Sequence, residues 1–175
     1  MKKNRLFCRS ALFPSLLLLF ALVFTGCSNQ TTEGTLEEIL ELDLQGCTVA
    51  TNTDTHGGFH GDGISCVALQ FSDSQVADAI AASAAWVPFP LDETAQVLAY
   101  GVFRETADGI SGAGPYLTDG EGDPLLPSVA NGYYCLIDRH ADAGDGQNLL
   151  ERASLNVTLA LYDTDSDTLY FCELD

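Results

Sequence analysis

The sequence predicts an α+β domain, built as a mainly antiparallel β-sheet with one principal helix packed on one face, a two-layer sandwich. Three observations predict it. In Ser154–Tyr162, Leu155, Val157, Leu159 and Leu161 fall on one face and Asn156, Thr158, Ala160 and Tyr162 on the other. That period-two alternation marks a half-buried antiparallel strand. Ser72-Asp73-Ser74-Gln75 matches a capping box, and Val76, Ala79, Ile80 and Ser83 share one face of the helix it opens. The segment order is two strands, helix, a second short helix, then strands to the end, which is an α+β order.

Taken in chain order, Ser28–Gly34 is polar and aperiodic and reads as a tether. Thr35-Leu36-Glu37-Glu38 matches a second capping box, and Leu36, Ile39 and Leu40 carry a short helix to about Leu42. Cys47–Thr51 and Ile64–Phe71 read as strands. The intervening Asn52–Gly63, rich in Gly, Asp and His, makes them a long hairpin. The principal helix is expected over Asp73–Ala84. Pro88 and Pro90 forbid helix through Trp86–Leu91, and that apolar segment is expected over the core edge. Asp92 caps a short helix over Glu93–Tyr100, which Gly101 ends.

Val102–Glu105 reads as a short strand. Thr106–Ala130 is weakly patterned and broken by Gly109, Gly112, Gly114, Gly120, Gly122, Pro115, Pro124 and Pro127. A loop of that length is functional or mobile. Three strands close the chain, over Gly132–Asp138, Ser154–Tyr162 and Thr168–Leu174.

The first 26 residues have a different character. Lys2, Lys3, Arg5 and Arg9 precede an apolar stretch, and Leu16–Phe24 holds no polar side chain. A spanning helix needs about 20 apolar residues. A charged start, a short apolar run and small residues at a cut site mark an export signal. Phe24-Thr25-Gly26-Cys27 then resembles the lipobox of bacterial lipoproteins, with Phe24 where Leu is usual. The resemblance implies a diacylglyceryl group on the Cys27 thiol and cleavage just before it. Two acyl chains give stable anchoring at about 0.8 kcal/mol per buried methylene. The expected division is a signal peptide over 1–26, the lipidated Cys27 with tether and short helix over 27–41, and one globular domain over 42–175. The expected location is the cell membrane, lipid-anchored on its extracytoplasmic side.

The later segments Asp54–Gly63, Pro90-Leu91-Asp92, Gly132-Tyr133-Tyr134, Ile137-Asp138-Arg139 and Leu161-Tyr162-Asp163 resemble small uncharacterised lipoproteins of Gram-positive anaerobes. That resemblance carries no activity with it.

Charge excludes several roles. Beyond residue 26, Arg104, Arg139 and Arg152 are the only Lys or Arg among 25 acidic side chains, a formal charge of −22. Three scattered arginines cannot neutralise a phosphate backbone, so nucleic acid is excluded as a partner. An anionic lipid surface is disfavoured for the same reason. A basic protein, a cationic ligand or a divalent metal remains compatible. The plainer reading of the charge is solubility and self-repulsion, which also favours a monomeric domain.

Four cysteines follow Cys27, and an even number in an exported chain permits disulfides. The strand assignments favour Cys47–Cys66 and Cys135–Cys172, because sheet neighbours hold Cα atoms about 5.5–6 Å apart.

The candidate site is the loop Asp54–Gly63, with four glycines in ten residues and two of the chain's three histidines. Its candidate ligand contacts are His56, Phe59, His60 and Asp62, and its candidate metal ligands are His56, His60 and Asp62. The glycines argue against a helical HxxxH site, and no HExxH motif is present. The plainer reading is a hairpin loop whose His and Asp side chains bond backbone amides. Asp163, Asp165 and Asp167 open like a calcium loop but lack its Gly and final Glu, so a strand-connecting turn is expected. His140 with Asp138 and Ser128 or Ser154 lacks a nucleophile elbow. Arg139 and Arg152 are expected as surface ion-pair partners, each pair contributing at most about 1 kcal/mol.

No catalytic signature emerges. The leading expectation is a non-catalytic, lipid-anchored binding or accessory domain that needs no cofactor. The alternatives are a metal-dependent enzyme centred on His56 and His60, and a structural or immunity-type surface protein.

Overall fold

The computed structural model describes residues 32–56, 62–72, 75–140, 143–144 and 146–175. The expected lipidation site Cys27, and the loop residues Phe59 and His60, lie outside the described residues.

The α+β class forms as expected. Eight strands run in the order β1 (Thr48–Asp54), β2 (Ile64–Gln70), β3 (Val87–Pro88), β4 (Val102–Thr106), β5 (Gly109–Ala113), β6 (Gly132–Asp138), β7 (Val157–Asp163) and β8 (Thr168–Leu174). Three helices, α1 (Thr32–Leu40), α2 (Gln75–Ala82) and α3 (Glu93–Tyr100), complete the described elements with a single 3-10 turn at Leu149–Glu151. Six strands form one antiparallel sheet in the spatial order β1-β2-β8-β7-β6-β3. The last two strands therefore occupy its centre.

That order explains the first correction. Cys66 on β2 lies opposite Cys172 on β8, with Cα atoms 4.1 Å apart, and the two form a disulfide. The pairings Cys47–Cys66 and Cys135–Cys172 do not form. Cys66 faces Thr53 across the hairpin, so Cys47 lies six residues further along β1, roughly 20 Å away. Cys135 on β6 is separated from β8 by the whole of β7. Treating β6 and β8 as neighbours missed the strand between them.

The two faces of the sheet carry separate cores. On one face, Val67, Leu69, Phe71, Cys135, Ala160, Tyr162, Leu169 and Phe171 meet α1 and α2 through Leu36, Leu40, Val76 and Ile80. The principal helix α2 thus packs on one face as expected, with Val76 and Ile80 inward, although Ala79 is exposed. On the other face, Val157, Leu159, Leu161, Tyr134 and Cys172 meet α3 and the segment 114–131 through Ala95, Leu98, Ala99, Leu117, Leu126 and Val129.

β7 is consequently buried on both faces rather than half-buried, with Thr158, Ala160 and Tyr162 as inaccessible as Val157, Leu159 and Leu161. Its outward set alternates in sequence, but two of its members are apolar or aromatic and the layer of α1 and α2 closes over them. Each fully buried Leu contributes about 1.5–3 kcal/mol, so the centre of this sheet dominates stability.

Three local expectations are corrected. Thr35 lies inside α1 rather than capping it, and Glu41, with φ 54°, follows the helix in the left-handed region. β1 runs to Asp54, so Asn52–Asp54 belong to the strand and the connecting loop is shorter. Gly109–Ala113 pairs with β4 as a two-stranded ribbon inside the region expected as one loop. Two glycines and a serine in that strand hide any alternation. Asp92 does cap α3, accepting a 2.8 Å hydrogen bond from the Ala95 amide, and Gly101 ends it at φ 72°. Asp163–Asp167 is the expected turn, between β7 and β8.

Candidate functional site

The polar groups converge at one end of the sheet, where β1 ends, β2 begins, and β6, β7 and β8 bring Asp138, Val157 and Leu174 into register. The base of the β1–β2 loop is closed by Thr55, whose amide donates to the Ile64 carbonyl at 2.8 Å. The Thr55 hydroxyl also accepts from the Ile64 amide at 2.9 Å. Gly63 lets the two sides touch. A Cβ on Gly63 would sit 2.6 Å from the His56 Cα, closer than side chains tolerate.

His56 is held from both sides. Its amide donates to Asp54 Oδ1 at 2.9 Å and its Nδ1 lies 2.7 Å from the same oxygen. Nε2 lies 3.4 Å from Asp175 Oδ2. Asp175 in turn accepts from Arg139 Nη2 at 2.8 Å, and Arg139 Nη1 sits 3.2 Å from Glu173 Oε1. A second pair lies beside this relay, with Arg152 Nη1 2.7 Å from Asp138 Oδ2. The Arg152 side chain is only 5% exposed, so it is no surface partner. The expectation of surface pairs therefore fails for Arg152.

The electrostatics follow from these contacts. The hydrogen bond to Asp54 raises the pKa of His56 above its ordinary 6.5, against partial burial, and the attraction of Asp54 and Asp175 adds to it. Asp54 is lowered below 3.8 by the hydrogen bonds from the His56 amide and ring. Burial pushes Asp138 up, yet the Arg152 hydrogen bond, the His140 amide and the Arg152 charge together hold it below 3.8. A histidine gripped by two carboxylates favours its protonated form, and metal ligation needs the neutral one. Among the described residues, no group of three or more His, Cys, Asp or Glu is arranged to hold a metal ion.

Beside the relay lies a cavity of about 330 Å³, lined by Asp62, Tyr116, Leu150, Arg152, Leu155, Leu174 and Asp175, with Ala153 and Ser154. Of the candidate residues, Asp62 lines this cavity, and His56 reaches it through Asp175. Sequence reasoning missed Tyr116, Leu155, Leu174 and Asp175, and it placed Arg152 on the surface. Asp138-Arg139-His140 was a visible polar cluster at a strand end, but its partners come from β8 and from the segment after residue 148. Ser154 is in the cavity wall and Ser128 is not.

A larger hollow of about 560 Å³ lies between the β4–β5 ribbon and α3. Its one ion pair, Arg104 with Glu93 at 3.4 Å, is largely exposed on both sides. It lacks the convergence of charged groups from several strands that marks the strand-end cavity.

The chain matches no family model, no curated protein and no solved structure. No helix among the described residues is long and apolar enough to cross a membrane.

Proposed function

We propose that this chain is a lipid-anchored, extracytoplasmic binding domain that acts without catalysis, tethered through Cys27. The anchor reading rests on the charged and apolar leader and on Phe24-Thr25-Gly26-Cys27. The binding reading rests on one observation, the strand-end cavity with an apolar wall and, around it, charged groups from the ends of β1, β6 and β8 and from the segments that flank them. An apolar hollow with a few fixed polar groups is the general form of a small-ligand site. Most of the acidic and basic groups there are engaged with one another, which suits recognition. Its carboxylate excess suits a cationic ligand or a basic partner.

The test has two parts. Full-length protein is expected in the detergent phase on phase separation, and Cys27→Ser in the aqueous phase with its fold intact. Native mass spectrometry of protein extracted from envelopes is expected to show a non-covalent adduct that Leu155→Trp, which fills the cavity, removes. Detergent-phase Cys27→Ser would overturn the anchor. An adduct retained in Leu155→Trp, or no adduct in either protein, would overturn the binding site.

A further inference from the structure

We infer that the strand-end cavity takes an organic ammonium group carried on a short aliphatic stem. The inference deepens the binding-domain reading and rests on it. The walls Leu150, Leu155 and Leu174 are apolar, and Tyr116 adds an aromatic ring to the lining. Asp62 and Asp175 line the same cavity. Asp62 is exposed and makes no hydrogen bond or ion pair among the described residues. It is the one carboxylate at the cavity with charge to spare. Arg152 is compensated by Asp138, and Arg139 by Glu173 and Asp175. Among the described residues, five carboxylates therefore surround the cavity and relay against two guanidiniums and the His56 imidazole, and the local field is negative.

Each alternative ligand chemistry meets an obstacle. An anion would face Asp62 and Asp175 across a low-dielectric wall. A neutral apolar ligand would strip water from Asp62 without replacing it. An ammonium on an aliphatic stem satisfies both parts. Its charge meets Asp62 and the face of Tyr116, since a cation is attracted to an aromatic face within about 6 Å. Its stem covers the leucines, as lysine stems cover apolar surface. Two sources share this chemistry, a free alkylamine and the side chain of a lysine in a basic partner.

The experiment uses the mature domain carrying Cys27→Ser, labelled with ¹⁵N and titrated with n-butylammonium chloride at fixed ionic strength. n-Butanol and butyrate are the controls. Saturable amide shifts at Asp62, Tyr116, Leu155 and Leu174 are expected with butylammonium alone. Asp62→Asn is expected to weaken binding at least about tenfold, the size of one charge-assisted contact. Because Asp62 holds no partner among the described residues, that variant is expected to leave thermal stability unchanged.

Equal saturation by butanol or butyrate at these residues would overturn the ammonium inference and leave the binding site standing. So would butylammonium binding that Asp62→Asn does not weaken. The absence of saturation with all three would also overturn it, while the native-mass adduct judges the binding domain separately. A second arm uses acetyl-Ala-Lys-Ala-amide. Tighter binding than butylammonium supports a lysine of a basic partner, and weaker binding supports a free amine.

Discussion

The two ends of the sheet are both acidic, yet they use their carboxylates differently. At the β7–β8 turn the acids serve their neighbours. Asp163 accepts from the Asp165 amide at 2.9 Å and from the Ser166 hydroxyl at 2.8 Å, and Asp167 accepts from the Tyr162 hydroxyl at 3.0 Å. Of these carboxylates, that of Asp165 reaches further, accepting from Asn131 at 2.8 Å. At the opposite end Asp54, Asp138, Glu173 and Asp175 meet His56, Arg139 and Arg152, and most of those contacts span different elements. One end is a turn whose carboxylates are spent mostly within it, while its backbone carbonyls also accept from Gln70 and Phe71. The other is a tertiary assembly with a cavity beside it. Acid content therefore does not mark a site. What marks it is whether the acids are spent locally or on groups brought from elsewhere in the chain.

The largest expected effect separates the ends by stability. Arg152→Ala leaves the partly buried Asp138 charge without its guanidinium, and breaking a buried pair costs about 3–5 kcal/mol. Urea denaturation checks it, and a loss under about 1 kcal/mol would place Arg152 with ordinary surface charges. Next is the staple near the same end. Replacing Cys66 and Cys172 together by Ala is expected to cost about 2–5 kcal/mol. A non-reducing peptide map is expected to join 66 to 172, and a map joining 47 to 66 would contradict the sheet order.

These contrasts bear on what could be read beforehand. The turn was legible because the Asp163 and Asp167 carboxylates act within five residues, where spacing is geometry. The α3 cap at Asp92, the β1–β2 hairpin and the extent of β6 and β8 were legible for the same reason. The strand-end cavity was only half legible. Its loop drew attention through Gly and His density; Asp62 lines the cavity, and His56 reaches it only through Asp175. Asp175, Arg152 and Tyr116 were not found, because they come from the end of β8 and from the segments after residues 113 and 148, which only the tertiary fold brings together. The disulfide pairing failed on register and on order, since Cys66 faces Thr53 rather than Cys47 and β7 separates β6 from β8. The second face of β7 was missed for a related reason, since period two reports which residues share a face and not what covers it.

Smaller effects sharpen the comparison through pH. His56 is raised above 6.5, so the stability it lends is fully present below pH 6.5 and lost as pH rises through its folded value. Asp54 is lowered below 3.8, so its share is present above pH 3.8 and lost as pH falls through its folded value. The pair therefore stabilises most between about pH 3.8 and 6.5. His56→Ala is expected to flatten stability against pH above 6.5, and a ¹⁵N titration of the ring is expected to give a midpoint above 6.5 in the parent domain. If zinc binds there, the proton must leave first, so its apparent affinity rises with pH. The smallest effect belongs to the opposite end. Asp165→Ala removes one exposed contact to Asn131 and is expected to cost at most about 1 kcal/mol, read by thermal unfolding.

The central claim is that the end with tertiary charge contacts is the binding end. It is tested most directly by adding a small-molecule extract of the envelope to the ¹⁵N-labelled mature domain and mapping the amide shifts. The account predicts shifts clustered on Asp62, Tyr116, Leu155, Leu174 and Asp175, with Asp163–Asp167 unmoved. Shifts centred on Asp163–Asp167, or on the exposed Phe103 and Ile110 of the β4–β5 ribbon, would contradict it.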